Sequence, residues 1–340
     1  MKKVLAAVLA AAMAVSLAIP AFADDAEVSV VVGGTTTQDT SMGITVGNVY
    51  DGNKTAMAGD TVDSRDTLYV TLTAAQGDLS SDDDWDFSFK KGDNSKVIKS
   101  IKFVEKDVDG TTGREDAIEI KFNEIMDDTE YKMNPEITIR PRGDVKDDHY
   151  ADDTVITVKF FYKNFKDEDA DTEYAAGTKG VVAKPEKNED NEVLWVDENK
   201  DLAKLEFSAD SDTSVYYPKL STKWANEDYA ELIGDMDAFI FDFVGNPTIS
   251  STSRPVLTLY NPFYDEDEEA LTVAEEDIVV YLVNEDGTID DITAQFTIEE
   301  NDDGDNVLVT KTRTLGTYII AERALDGAAD AETETPDDGK

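Results

Sequence analysis

From Glu27 onward, apolar and polar residues alternate in short runs cut by Gly, Asn and Asp. A period of two is the pattern of a strand with one face in a core and one in water, and the interrupting residues are those that tight turns require. The first half carries "EVSVVV", "GITVGNVY", "TLYVTLTA", "DWDFSF", "KVIKSIKFVE", "AIEIKF", "EITIRP" and "TVITVKFFYKNF". Such a density of short strands between residues 27 and 165 predicts a β-sandwich. In "AIEIKF" the apolar Ile118, Ile120 and Phe122 fall on one face and Glu119 and Lys121 on the other, which predicts one buried and one wet face.

Between residues 166 and 192 the text becomes rich in charge, Gly and Pro, and reads as an acidic linker with one strand at "GVVAK". The pattern resumes with "VLWVD" and "AKLEFSA" and turns helical at "NEDYAELIGDMDAF". There Asn226 is placed to cap, and Glu227 and Asp228 to complement the dipole of the first turn. Strands return at "FIFDF", "PVLTLYNP", "DIVVYLV", "TAQFTIEE", "NVLVTKT" and "LGTYIIAE". The predicted fold class is mainly β: two β-sandwich, immunoglobulin-like domains, at 24–165 and 193–323, the second with a short helical insert. The immunoglobulin-like part rests on strand rhythm alone. Residues 324–340 are small and acidic and are expected to be a disordered tail.

The segment 1–23 changes where this fold is placed. Lys2 and Lys3 precede an apolar run from Val4 to Ile19, then Pro20 and the small-x-small pattern Ala21-Phe22-Ala23. That is the form of a secretory signal peptide, with cleavage expected after Ala23. The chain has no cysteine, which excludes disulfides, thiolate metal sites, a thiol nucleophile and a lipid-accepting residue at the leader. A cysteine-free exported chain points to a bacterium, Gram-positive by the style of its leader. The expected location is secreted, extracellular or held non-covalently at the cell surface.

Charge narrows the partners. The formal net charge is −44, from 75 acidic and 31 basic residues. A polyanion repels phosphate backbones and anionic bilayers, so neither nucleic acid nor membrane insertion is expected. The partners it leaves open are a second copy of the chain, a cell-wall or glycan ligand, or a host protein.

Candidate chemistry is sparse. In "VEKDVDGTTGREDAIEIKF" (104–122), an EF-hand register from Asp107 puts Asp109 at position 3 but Thr111, Thr112 and Ile118 at positions 5, 6 and 12, where an oxygen ligand, Gly and Glu are needed. A hairpin turn around Asp109-Gly110 explains the stretch better. The same dipeptide recurs at Asp51-Gly52, Asp286-Gly287 and Asp303-Gly304, with glycine supplying a positive φ. Calcium is the one cofactor the pattern admits, on loop carboxylates: Asp82, Asp83, Asp84 and Asp86, the run Asp265 to Glu269, and Asp302, Asp303 and Asp305. The single histidine, His149, stands among Asp147, Asp148, Asp152 and Asp153, which favour its charged form and argue against a metal ligand or general base. No catalytic residue is assigned.

Aromatic residues offer a second kind of site, since sugars stack on exposed rings. Trp195 in "VLWVD" reads as core. Trp85 in "DDDWDF" and Trp224 in "TKWANEDY" have polar neighbours and are the candidate exposed platforms, with core packing the competing reading; Tyr216-Tyr217 and Phe263-Tyr264 complete the pool.

Two segments, "FDFVGNPTISSTSRPVLTLYNP" (241–262) and "TKTRTLGTYIIAERAL" (310–325), resemble strand motifs of uncharacterised secreted or cell-surface β-rich proteins of Gram-positive gut anaerobes. The resemblance implies an extracellular β protein and names no activity. The expected function is a non-enzymatic structural, assembly or adhesion component. The alternatives are a carbohydrate-binding protein with calcium-stabilised loops and a carboxylate-dependent glycan hydrolase.

Overall fold

The computed structural model describes residues 26–325, apart from 35, 38–42, 64–65, 76–78, 82, 111–112, 147–149, 151–152, 170, 225–232, 234–235 and 266–267. The leader, His149, the residues Asn226, Glu227 and Asp228, and the tail from 326 lie outside the described residues. The described chain is mainly strand. Helical turns within it are the short 3-10 segments Ser95–Val97, Gly143–Lys146, Glu275–Asp277 and Thr293–Gln295, together with Ile233. No helix among the described residues is long and apolar enough to cross a membrane.

The chain divides into two units. The first comprises the residues up to Val62, Asp66–Asn123 and Tyr131–Tyr162; the second comprises Asp63–Arg65, Glu124–Glu130 and the chain from Lys163 onward.

In the first unit, Ala26–Val31 pairs parallel with Thr154–Lys163, Ala26 opposite Thr154 and Val30 opposite Val158. Thr154–Lys163 pairs antiparallel with Glu136–Pro141, and this in turn with Trp85–Lys90. A second sheet is antiparallel throughout, in the order Ile44–Tyr50, Thr67–Ala74, Glu115–Phe122, Ile98–Lys106. Alternation buries one face of each: Ile156 and Val158 from one sheet and Ile118 and Ile120 from the other are fully buried. Rings close the contact between the sheets, Phe122 against Phe160 and Tyr162 at 5.6 and 4.8 Å, and Phe87 against Phe103 at 4.8 Å.

The second unit also has two main sheets. One runs Thr172–Ala175, Asp190–Asp197, Lys200–Ser208, Val256–Tyr260, Asn306–Lys311, Thr297–Glu300; the other runs Leu220–Ser221, Ala238–Phe243, Thr317–Ala321, Val279–Val283, Ile289–Asp291. Their shared core centres on Trp195, fully buried and edge-on to Phe243 at 5.0 Å, with Leu205, Leu257, Leu308 and Ile320 around it. The Trp195 indole N–H donates to the Pro218 carbonyl, so its polar atom is satisfied. The second sheet is buried on its other face as well, where Tyr281, Ile319 and Ile240 pack with Ile233 and Met236. Burial on both faces is why "FIFDF", "VVYLV" and "YII" are nearly continuous apolar runs.

Three expectations are corrected. Residues 166–192, read as a linker, contribute Tyr174, Val181, Val182 and Ala183 to the buried residues of the second unit and hold the strands Thr172–Ala175 and Val181–Ala183. Their apolar residues are few but lie at strand spacing, and charge on the outward positions masked them. The face of "AIEIKF" read as wet is covered at Glu119 and stays open at Lys121: Glu119 is 3% exposed, with Lys102 and Lys121 at 3.2 and 3.3 Å, and the Tyr69 hydroxyl donates to it at 3.3 Å. Burial pushes the Glu119 carboxyl up, and the two lysines outweigh it, so the net shift is downward. Third, Gly110, Gly287 and Gly304 take positive φ at their turns, whereas at Asp51-Gly52 the left-handed residue is Lys54, at φ 66.

Candidate functional site

Among the described residues no group of three or more carboxylate or histidine side chains is placed to hold a metal ion; Glu266 and Asp267 of the run from Asp265 lie outside them. Asp86 pairs with Arg142 at 2.8 Å. Asp82 lies outside the described residues, Asp83 is exposed, and the Asp84 carbonyl accepts the Arg142 backbone N–H at 2.6 Å. In the loop 301–305 the Asn301 side-chain oxygen accepts the backbone N–H groups of Asp303 and Asp305, at 3.0 and 2.8 Å, and its amide donates to the Asp305 carboxylate at 3.1 Å. The loop is held by its own asparagine, and Asp302 and Asp303 are exposed.

The aromatic pool is sorted by burial. Trp85 is 2% exposed and edge-on to Tyr150 at 4.7 Å, so it is core and is withdrawn as a platform. Its polar sequence neighbours misled because Asp86 falls on the opposite face of the alternating strand and Asp84 belongs to the turn before it. Tyr216, Tyr217 and Phe263 are buried too. Trp224 and Tyr264 are partly exposed, and both line the same cleft.

That cleft, of about 650 Å³, lies at one end of the second unit. Five elements build it. The hairpin between Asp190–Asp197 and Lys200–Ser208, turned through Glu198 at φ 54, presents Asp197, Asn199 and Asp201. The end of Val256–Tyr260 brings Tyr260, and the start of its partner Asn306–Lys311 brings Asn306 and, just before it, Asp305. The start of Ala238–Phe243 brings Phe239, 43% exposed, from the other sheet. Trp224 follows Leu220–Ser221.

Asn261 fixes the floor of the cleft. It is buried, its amide donates to the Asn306 side chain at 2.6 Å, and its side-chain oxygen accepts the Phe263 backbone N–H at 3.0 Å, which turns the chain and carries Tyr264 to the wall. The Tyr260 hydroxyl donates to Asp201. Burial first, and then the negative charge of Asp201, Asp305 and Asp303, push that phenol up, so it stays a neutral donor at every physiological pH. The result is a set of ring faces, from Trp224, Phe239 and Tyr264, set beside fixed hydrogen-bond acceptors. Aromatic faces combined with a few oriented polar groups are what ligand sites of this size are made of. Of these residues the sequence singled out Trp224, Tyr264 and Asp305. Phe239, Tyr260, Asp197 and Asp201 were missed, because they join only through strand pairing.

No family model matches the chain, and no curated protein matches it. Among solved structures, the chain aligns with the C-terminal domain of the AgI/II polypeptide BspA of Streptococcus agalactiae, at 9% identity and a TM-score of 0.20, covering 81% of this chain and 88% of that one. A score of that size does not establish a common fold.

Proposed function

We propose that this chain is a non-enzymatic, extracellular β protein of the adhesion class, and that its second unit binds a glycan segment in the cleft walled by Trp224, Phe239 and Tyr264. The observation that carries the reading is one exposed ring, Phe239, and two partly exposed ones, Trp224 and Tyr264, in a concave site beside Asp197, Asp201, Asn261 and Asp305. Ring faces stack on the C–H faces of sugars, and carboxylates and amides accept from sugar hydroxyls. Export by the 1–23 leader and sandwich domains of immunoglobulin-like type belong to the same proposal.

The test uses the mature chain, residues 24–340. Of its three tryptophans, Trp85 and Trp195 are buried and Trp224 is not, so quenching by a soluble agent reports on the cleft. Soluble oligosaccharides that bind shift the emission and protect it from the quencher, and Trp224→Ala abolishes retention on the matching polysaccharide. Retention unchanged in Trp224→Ala, or no retention on any polysaccharide, rejects the glycan reading. Release of new reducing ends instead assigns the hydrolase alternative.

A further inference from the structure

At the end of the second unit opposite the cleft, a groove of about 540 Å³ is lined by Arg254, Lys311 and Arg313 against one acid, Glu285. The two sheets agree on the placement. Val256 pairs with Lys311 at one end of its ladder and Tyr260 with Val307 at the other; in the second sheet Asp242 pairs with Thr317 near the groove and Ala238 with Ala321 near the cleft. Strands of five or six residues set the two ends roughly 15 to 20 Å apart.

The groove is unusual for this chain. With 75 acids to 31 bases, several lysines of the second unit meet carboxylates, as Lys204 meets Glu206 at 3.4 Å and Lys219 meets Glu124 at 2.9 Å, whereas the groove gathers three bases against a single acid. Among the described residues, Arg254, Lys311 and Arg313 form no ion pair, and all three are exposed. Arg313 donates to the Ser251 carbonyl at 2.7 Å, which holds its planar head at the groove wall. Asp190 and Asp210 stand at the same end on neighbouring segments but do not line the groove. Guanidinium forks match carboxylates two bonds at a time.

The opposite end carries the complement. Beyond the cleft, the hairpin of Tyr264–Asp265 and Ala270–Leu271 bears Glu268 and Glu269, both exposed, within the acidic run from Asp265. Neither glutamate lines the cleft. The geometry points to a head-to-tail contact between copies of this chain, in which the exposed pair Glu268 and Glu269 of one second unit docks in the Arg254–Lys311–Arg313 groove of the next. Two different patches at opposite ends make a heterologous contact, which repeats into an open chain of subunits when the rotation does not close a ring. The contact is small and charged, so it is weak and salt-sensitive.

The mature chain is measured by light scattering and sedimentation, at high protein concentration. Wild type forms concentration-dependent oligomers, and association weakens at least about tenfold between roughly 50 and 300 mM NaCl. Two variants, Arg254→Gln with Lys311→Gln, and Glu268→Gln with Glu269→Gln, alter exposed side chains and are checked for unchanged melting. Each alone is monomeric. Mixed in equal amounts, they retain one good contact and stop at a heterodimer. A wild type that is monomeric in low salt, a groove variant that assembles like wild type, or a mixture that makes no heterodimer overturns the proposal. Retention of a monomeric wild type on polyphosphate, lost with the groove variant, overturns it too and gives the groove to an anionic polymer. Because neither variant touches the cleft, glycan retention stands or falls separately.

Discussion

A left-handed backbone costs a side chain about 1 to 2 kcal/mol and a glycine almost nothing. Gly304 sits at φ 91 with open space where a Cβ would stand, so Gly304→Ala isolates the backbone cost. It should lower stability by about 1 kcal/mol in chemical denaturation. Lys54 holds the equivalent place in the loop 51–55, at φ 66, and recovers part of that cost from an ion pair with Asp107 at 2.7 Å, between half-exposed side chains. Exposed pairs contribute less than about 1 kcal/mol, so Lys54→Gly should be neutral to stabilising, measured by the same unfolding curve. The tryptophans separate by the same residue-level reasoning. Trp85→Ala empties a core position and should cost about 3 to 5 kcal/mol without touching the cleft, whereas Trp224→Ala should cost far less and remove the quenchable emission.

At the level of strands, Asp153 is the tie of the first unit. Its carboxylate accepts two bonds from Arg140, both at 2.7 Å, and its carbonyl accepts the Ala26 backbone N–H at 2.8 Å, so one residue joins Ala26–Val31, Glu136–Pro141 and Thr154–Lys163 at their ends. The guanidinium of Arg140 holds the Asp153 carboxyl below its usual 3.8. A lowered acid stabilises above the unfolded value and loses that contribution as pH falls through the folded one. Asp153→Asn should therefore melt lower than wild type at pH 7 and together with it at pH 2. Strand positions were legible because alternation survives in a single sequence. The loops "NEDGT" and "NDDGD" were legible as turns for the same local reason, and in both the Asn backbone N–H donates to the carbonyl four residues on, at 2.8 and 2.9 Å. Sheet membership was not legible. Nothing local tells "AIEIKF" that Tyr69 will cover Glu119, or "GVVAK" that it borders a core instead of a linker.

For the whole molecule, the acid excess makes ionic conditions a variable in every measurement. Calcium and magnesium at matched ionic strength should raise the melting temperature equally, because both screen self-repulsion and no carboxylates among the described residues converge on a metal site. A larger shift with calcium alone would place a site that Asp302, Asp303 and Asp305 do not form by themselves. The cleft was only partly readable for a reason of scale: its residues come from five stretches between 197 and 306, and only the finished sheets bring them together. The parallel pairing of Ala26–Val31 with Thr154–Lys163 has a further effect, on the order of folding. The strand that leaves the ribosome earliest has its partner at the far end of the unit, so a nascent chain stopped before residue 154 cannot close its first sheet. Loop-closure entropy is highest for this last contact, so the antiparallel sheet of residues 44–122 can form before it and waits for the first sheet to cover it.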